Sequence, residues 1–364
     1  MQINKLLIKD FRNISDIEMY PYKGVNIIYG DNGQGKTNII EAIWLCTGAK
    51  SFRGSKTNEL KNFEKDVCFI ENEFDGFKRE QICKLKINNK KYVNLNGVDL
   101  DNSLKIAGAF CAVVFSPCHL SLVNAGPDER RKFIDSAICQ FKPKYIIMLA
   151  KYKKIIIQKN ALIKHYNRTK QIVDNSLFEV YNKQIASLAI KIYDERKKYI
   201  ENLSKKAKEL YSGISSKKET LDINYIINYE TDENLLFNQL CEKQNTEIKA
   251  GFSIIGPHRD DVEILTCNKS AKNFGSQGQI RSCVLVLKLA EGEILKEIIG
   301  ENPIILLDDV LSELDKKRQD FLLNNIKGRQ IFITCCDDSN FQNVEIGKQF
   351  RIKGGRIIME SFSN

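Results

Sequence analysis

Apolar residues fall in short runs over the first third of the chain. Ile3, Leu6-Leu7-Ile8 and Phe11 predict one strand; Val25-Asn26-Ile27-Ile28-Tyr29 predicts another that runs into Gly30, so residues 1–30 read as two strands. Beyond Thr37 the spacing turns helical, with Ile39, Ile40, Ala42, Ile43 and Trp44 between 38 and 45. From 67 to 100 alternating runs return, and Asn88-Asn89 between Ile87 and Tyr92-Val93 marks a hairpin turn. Ala112-Val113-Val114-Phe115 reads as a buried strand stopped by Ser116-Pro117.

The pattern then changes. Between 128 and 218 there is one proline, Pro143, and one glycine, Gly213, while Leu177, Tyr181, Ile185, Leu188, Ile192, Tyr199 and Leu203 recur at helical steps. A narrow apolar seam of this kind suits helices packed side by side in an arm. From about 251 strands and helices alternate again, with Pro303-Ile304-Ile305-Leu306-Leu307 and Gln330-Ile331-Phe332-Ile333-Thr334 as buried strands. Such alternation predicts a largely parallel sheet covered on both faces, hence an α/β fold. The organisation expected is two halves of one head, 1–126 and 251–364, separated by an α-helical arm, 127–250.

Charge sharpens this division. The 364 residues carry a net charge of +10, yet 128–218 holds 22 of the 56 Lys/Arg and only 9 of the 46 Asp/Glu. This helical stretch, 128–218, therefore carries +13 and the rest of the chain −3. Basic helices suit an anionic polymer, although a solvated helix face reads the same way. Eleven scattered cysteines without a Cys-x-x-Cys pair argue for reduced thiols in the cytosol, with Cys335-Cys336 closing a buried strand. No zinc pattern, signal peptide or membrane-spanning run is present.

Three motifs carry chemistry. Gly30-Asp31-Asn32-Gly33-Gln34-Gly35-Lys36-Thr37 is a phosphate loop set between an apolar strand and the helix that starts near Asn38. Its glycines permit a tight turn of N–H groups, Lys36 reaches the β/γ-phosphates of ATP, and Thr37 offers a hydroxyl to Mg²⁺. In the second, the run 304–307 ends in Asp308-Asp309. Carboxylates there lie where open α/β sheets bind ligands. Asp308 is the natural partner for Mg²⁺, and Asp309 is free to orient or deprotonate an attacking water. The third is Gly275-Ser276-Gln277-Gly278-Gln279, which opens a long apolar helix. Alone it reads as a capped amphipathic helix, or as an anion site at a helix start.

With 310–315 (VLSELD) after Asp309 and Thr334 ending the next strand, the set resembles the split head of the ATP-binding-cassette superfamily. That resemblance implies a mixed sheet with flanking helices and an antiparallel β subdomain. It also implies two heads enclosing two ATPs, with Ser276 and Gly278 donating in trans, Gln279 beside them, and the turn from Ser312 to Asp315 joining the sites. Thr334 would stand where a switch histidine acts. Arg12 and Asn13, after the first strand, would reach the base or α-phosphate.

The stretches 31–43, 115–135, 158–162, 256–261 (GPHRDD), 274–279 and 308–315 make the chain resemble the RecF family of bacterial DNA-repair ATPases over essentially its full length. Cys118 departs from the acid usual at its position, and Gly33 stands where Ala is common. The resemblance implies a cytoplasmic ATPase of slow turnover that dimerises on DNA at single-strand gaps when ATP is bound. It would act with RecO and RecR to load recombinase and support the SOS response. A nucleotide-gated scaffold is the alternative. Candidates for DNA contact are Arg130, Arg131, Lys153 and Lys154, with Arg196, Lys197 and Lys198 further along the arm, and Lys50, Arg53 and Lys56 on the head. The motif 258–261 (HRDD) is too rich in charge to be filler; the sequence assigns it no role, and an internal ion-pair cluster is its plainest reading.

Overall fold

The computed structural model describes residues 1–100, 103–169, 175–336 and 346–362. Strands β1 (Gln2–Phe11), β2 (Ile14–Met19) and β3 (Val25–Tyr29) lead into helix α1 (Lys36–Leu45). Then come β4 (Cys68–Gly76), β5 (Arg79–Ile87), β6 (Lys91–Leu95), β7 (Val98–Leu100) and β8 (Ala112–Phe115). The arm contains α2 (Pro127–Phe141), α3 (Pro143–Thr169) and α4 (Asn175–Ile214), followed by β9 (Leu221–Ile226), α5 (Glu233–Glu242) and α6 (Gln244–Ala250). Last are β10 (Asp261–Thr266), β11 (Lys269–Ser270), α7 (Ala271–Phe274), α8 (Gln277–Ile299), β12 (Ile304–Asp308), α9 (Lys316–Asn325), β13 (Ile331–Cys335), β14 (Ile346–Lys353) and β15 (Arg356–Phe362).

Strands from both ends of the chain build one sheet in the order β15-β14-β3-β13-β12-β8, parallel except for the terminal β14–β15 hairpin. Strands β3, β13, β12 and β8 are buried on both faces, so neighbouring residues in them serve different cores. Ile27, Val113 and Ile305 face one core, with α8 and the base of the arm, while Ile28, Val114 and Leu306 face the other. This is why these strands read as unbroken apolar runs. The second core encloses α1 and is closed by an antiparallel sheet, β2-β1-β4-β5-β6-β7. Alternation of buried and exposed residues along β4 and β5 shows that this sheet is wetted on its outer face.

The predicted strands, the α1 helix and the Asn88-Asn89 hairpin are present. Two readings need correction. Residues 1–30 form three strands, because Ile14, Ile17 and Met19 of β2 pack inward beside β1. The segment 127–250 is not wholly helical, since β9 pairs antiparallel with β10 across the expected boundary at 250/251. Leu221 and Ile223 alternate with polar residues, but only the later β10 supplies their hydrogen-bonding partner. Among the described residues no helix is long and apolar enough to cross a membrane.

Candidate nucleotide-binding site

The phosphate loop leaves the centre of the parallel sheet, between β14 and β13. Gly30 has φ +145°, and a Cβ there would lie 2.3 Å from the Ile352 carbonyl oxygen, so β14 excludes any side chain. Gly35, at φ +111°, is the N-cap of α1, and a Cβ there would meet Asn13 Oδ1 at 2.9 Å. The loop is thus held by its surroundings. Asn13 donates to the Gly33 carbonyl at 2.7 Å and accepts from Asn38 at 2.6 Å. Gly354 N–H, in the β14–β15 turn, donates to Gln34 Oε1 at 2.6 Å. Cys336 is exposed rather than buried, with its thiol 3.0 Å from Asn32 Oδ1, because β13 ends at Cys335.

Lys36 is buried, and its ammonium donates to the carbonyls of Gly30 and Asp31 at 2.6 and 3.0 Å. It therefore sits in the concavity of the loop. Thr37 Oγ1 donates to Asp308 Oδ1 at 2.8 Å, and Thr334 Oγ1 donates to the same oxygen at 3.0 Å. The Asp309 N–H in turn donates to Thr334 Oγ1 at 2.9 Å. Three elements adjacent in the sheet, β3–α1, β12 and β13, so converge on one carboxylate. Burial raises Asp308 above the usual carboxylate range, opposed by its hydrogen bonds to Thr37 and Thr334. Burial also raises Asp309, opposed by Lys36. Asp309 has φ +51°, a left-handed backbone seldom used outside glycine and found at strained functional positions.

Thr37 and Asp308 offer hard oxygen donors, and no larger group of metal-ligating His, Cys, Asp or Glu exists among the described residues. Two protein oxygens fit Mg²⁺, which keeps waters and takes further oxygens from phosphates.

Arg12 is engaged elsewhere. Its guanidinium pairs with the fully buried Glu41 at 2.6 Å and donates to Ser55 at 2.7 Å. Cys118 is exposed, and its thiol lies 3.0 Å from Ser116 Oγ.

Ser276 is the N-cap of α8. Its hydroxyl accepts from Gln279 N–H at 3.2 Å, and Gln279 Oε1 accepts from Ser276 N–H at 2.9 Å, a reciprocal capping box. Among the described residues, no hydrogen bond joins this turn to the phosphate loop of the same chain. Asp315 caps α9 by accepting from Arg318 N–H at 2.9 Å, and Ser312 Oγ donates to the Asp309 carbonyl at 2.7 Å.

The basic candidates divide. Arg196 is buried, and it pairs with Asp135 at 3.0 Å and Asp260 at 2.7 Å and donates to the Pro257 carbonyl at 2.6 Å. Arg130 is buried and grips Asp261 with two nitrogens, at 2.7 and 2.9 Å. Arg131 is spent on Asp128 and the Asp260 carbonyl. Arg130 and Arg196 are corrected from DNA contacts to internal partners, while Arg131, half-buried, pairs with the exposed Asp128. The three arginines account for 258–261: Asp260 and Asp261 anchor α2 and α4 to β10, while His258 bonds Tyr152 at 2.7 Å. Lys50, Arg53, Lys56, Lys153, Lys154, Lys197 and Lys198 are exposed.

Comparison with known proteins agrees with this geometry. The AAA domain family model matches residues 5–327. The chain is 38% identical over 369 residues to the DNA replication and repair protein RecF of Acetivibrio thermocellus, covering 98% of this chain and 99% of that protein. It is 37% identical over 364 residues to the RecF of Clostridium acetobutylicum, covering 98% and 99%. Among solved structures it resembles that of the recombination mediator protein RecF-ATPrS in the RecFOR pathway, with TM-score 0.90, 32% identity, and 98% and 97% of the two chains covered. An Smc head bound to the C-winged helix domain of ScpA matches with TM-score 0.57 at 17% identity, covering 100% and 98%, a likeness of fold alone.

Proposed function

The chain belongs to the RecF family of DNA replication and repair proteins, and on that premise we propose that it is an ATP-driven DNA clamp of recombinational repair. ATP binds in the loop after β3, two heads close around two nucleotides, and hydrolysis reopens them.

The observation that carries this reading is the 2.8 Å bond from Thr37 to Asp308, which joins the phosphate loop to the acidic strand end, while the Ser276 turn makes no hydrogen bond to the phosphate loop of its own chain among the described residues. Half a pocket is assembled in each copy. A second copy supplies the other half, with Ser276, Gly278 and Gln279 facing the γ-phosphate and the turn from Ser312 to Asp315 lying between sites.

Thr37 and Asp308 would hold Mg²⁺, which when bound would supply neutralisation of the phosphate charge. Lys36 leaves the loop carbonyls for the β- and γ-phosphate oxygens. Asp309, raised by burial, orients the attacking water and takes its proton. Its side chain is one methylene shorter than a glutamate's and reaches less far toward the water, which suits slow turnover. Exposed lysines of the head and arm hold the DNA backbone without reading bases. The family membership supports action at single-strand gaps with RecO and RecR, recombinase loading, SOS induction and a cytoplasmic site of action.

Sedimentation with and without ATP tests the reading. Wild type should dimerise with ATP; Ser276→Arg should bind ATP and stay monomeric. A Ser276→Arg protein that dimerised and hydrolysed ATP normally would overturn it.

A further inference from the structure

Arg318, on the first turn of α9, bridges two segments of the head. Its Nη2 donates to the Gly278 carbonyl at 2.8 Å, its Nε donates to Ser282 Oγ at 2.8 Å, and its Nη1 pairs with Asp315. One planar guanidinium therefore ties the start of α8 to the turn that follows Asp309. A second arginine runs the opposite way: Arg281 of α8 donates to the Glu313 carbonyl at 2.6 Å and pairs with its carboxylate at 3.1 Å. The turn is itself stiff, since Gln319 donates to the carbonyls of Leu311 and Leu314 at 2.7 and 3.1 Å. Gly278 fits this arrangement. A Cβ there would lie 3.0 Å from Arg318 Nη2, so the guanidinium occupies the space a side chain would need.

We propose that Arg318 is a positioning residue for ATP hydrolysis that acts on the partner's nucleotide: it locks the 276–279 turn of its own chain to the turn after Asp309. The inference rests on the shared-site reading above. Displacement of Asp309 and its turn by one nucleotide is passed through Arg318 to the polar helix start that closes the other. Losing a charge-assisted clamp between two segments should loosen the 276–279 turn without touching the phosphate loop.

Complementation between inactive variants tests this. Arg318→Ala should bind ATP with affinity within about twofold of wild type, yet hydrolyse it about tenfold more slowly, the scale of one lost charge-assisted hydrogen bond. Arg318→Lys should recover part of the rate by keeping the charge. Mixed one to one with Lys36→Ala, Arg318→Ala should regain about a quarter of the wild-type rate, because half the dimers are mixed and each holds one intact loop facing one intact turn. Mixed with Ser276→Arg, it should regain nothing, because both turns are then damaged. Ser276→Arg mixed with Lys36→Ala is the control. No recovery in the control would remove the shared site, and this proposal with it. Recovery in the control, with none for Arg318→Ala plus Lys36→Ala, would place Arg318 in its own chain's site and overturn the proposal alone. Should Arg318→Ala fail to bind ATP, the same mixtures made with Arg318→Lys decide.

Discussion

The hydroxyl of Thr334 donates to Oδ1 of Asp308 at 3.0 Å and accepts the N–H of Asp309 at 2.9 Å. One threonine at the end of β13 thus aligns both acids at the end of β12, a strand beside it in the sheet. Thr334→Ala should slow hydrolysis about tenfold while changing ATP affinity little, because Thr37 still holds Asp308. Steady-state kinetics with separate nucleotide-binding measurements check this, and an unchanged rate would remove Thr334 from the site.

Asp309 makes a prediction about pH. Burial raises its folded pKa above the ordinary 3.8, so its charged form is disfavoured in the folded protein. Above the folded pKa the carboxylate is charged both folded and unfolded, and the destabilisation is complete. Below the unfolded pKa both states are protonated, and it vanishes. Asp309→Asn should therefore raise the melting temperature of nucleotide-free protein near pH 8, by an amount that shrinks as pH falls toward 4. A gain independent of pH would contradict this sign.

Arg196 and its neighbours separate folding from DNA contact. Arg196→Ala leaves Asp135 and Asp260 without their cation at the base of the arm, and should cost about 3–5 kcal/mol of stability in chemical denaturation. Reversing the exposed Lys197 and Lys198 should leave stability nearly unchanged, and should flatten the plot of log affinity for DNA against log salt by about 2 if each meets one phosphate. A salt slope equal to wild type would take these two lysines out of the DNA surface.

Arg12 is expected to act through structure as well. Its removal by Arg12→Ala leaves Glu41, fully buried in α1, without its close cation. We expect a stability loss of about 3 kcal/mol or more, seen as a lower denaturation midpoint even without nucleotide. An unchanged midpoint would return Arg12 to a purely nucleotide-facing role.

What could be read in the chain depended on how local the cause was. The phosphate loop was legible because strand, turn and helix are contiguous, and Gly30-to-Thr37 spacing alone sets the N–H groups. Asp308 and Asp309 were legible because four apolar residues before them make a buried strand whose end must be polar. The seam 177–203 showed α4 for the same local reason. β2 was hidden because its three inward residues are separated by polar residues, and β9 because its partners in β10 come 35 to 45 residues later in the chain.

The sequence by itself determined an α/β nucleotide-binding head interrupted by basic helices, because periodicity and a contiguous loop are properties of neighbouring residues. Tertiary structure alone decided which basic residues are free. Arg196 and Lys197 are adjacent in α4, yet a helix turns them to different sides, and only the packing of Asp135 and Asp260 against one side makes that side an interior. Tertiary structure also decided that Gly278 meets Arg318, since the two are 40 residues apart and α8 and α9 come together only when the sheet has formed.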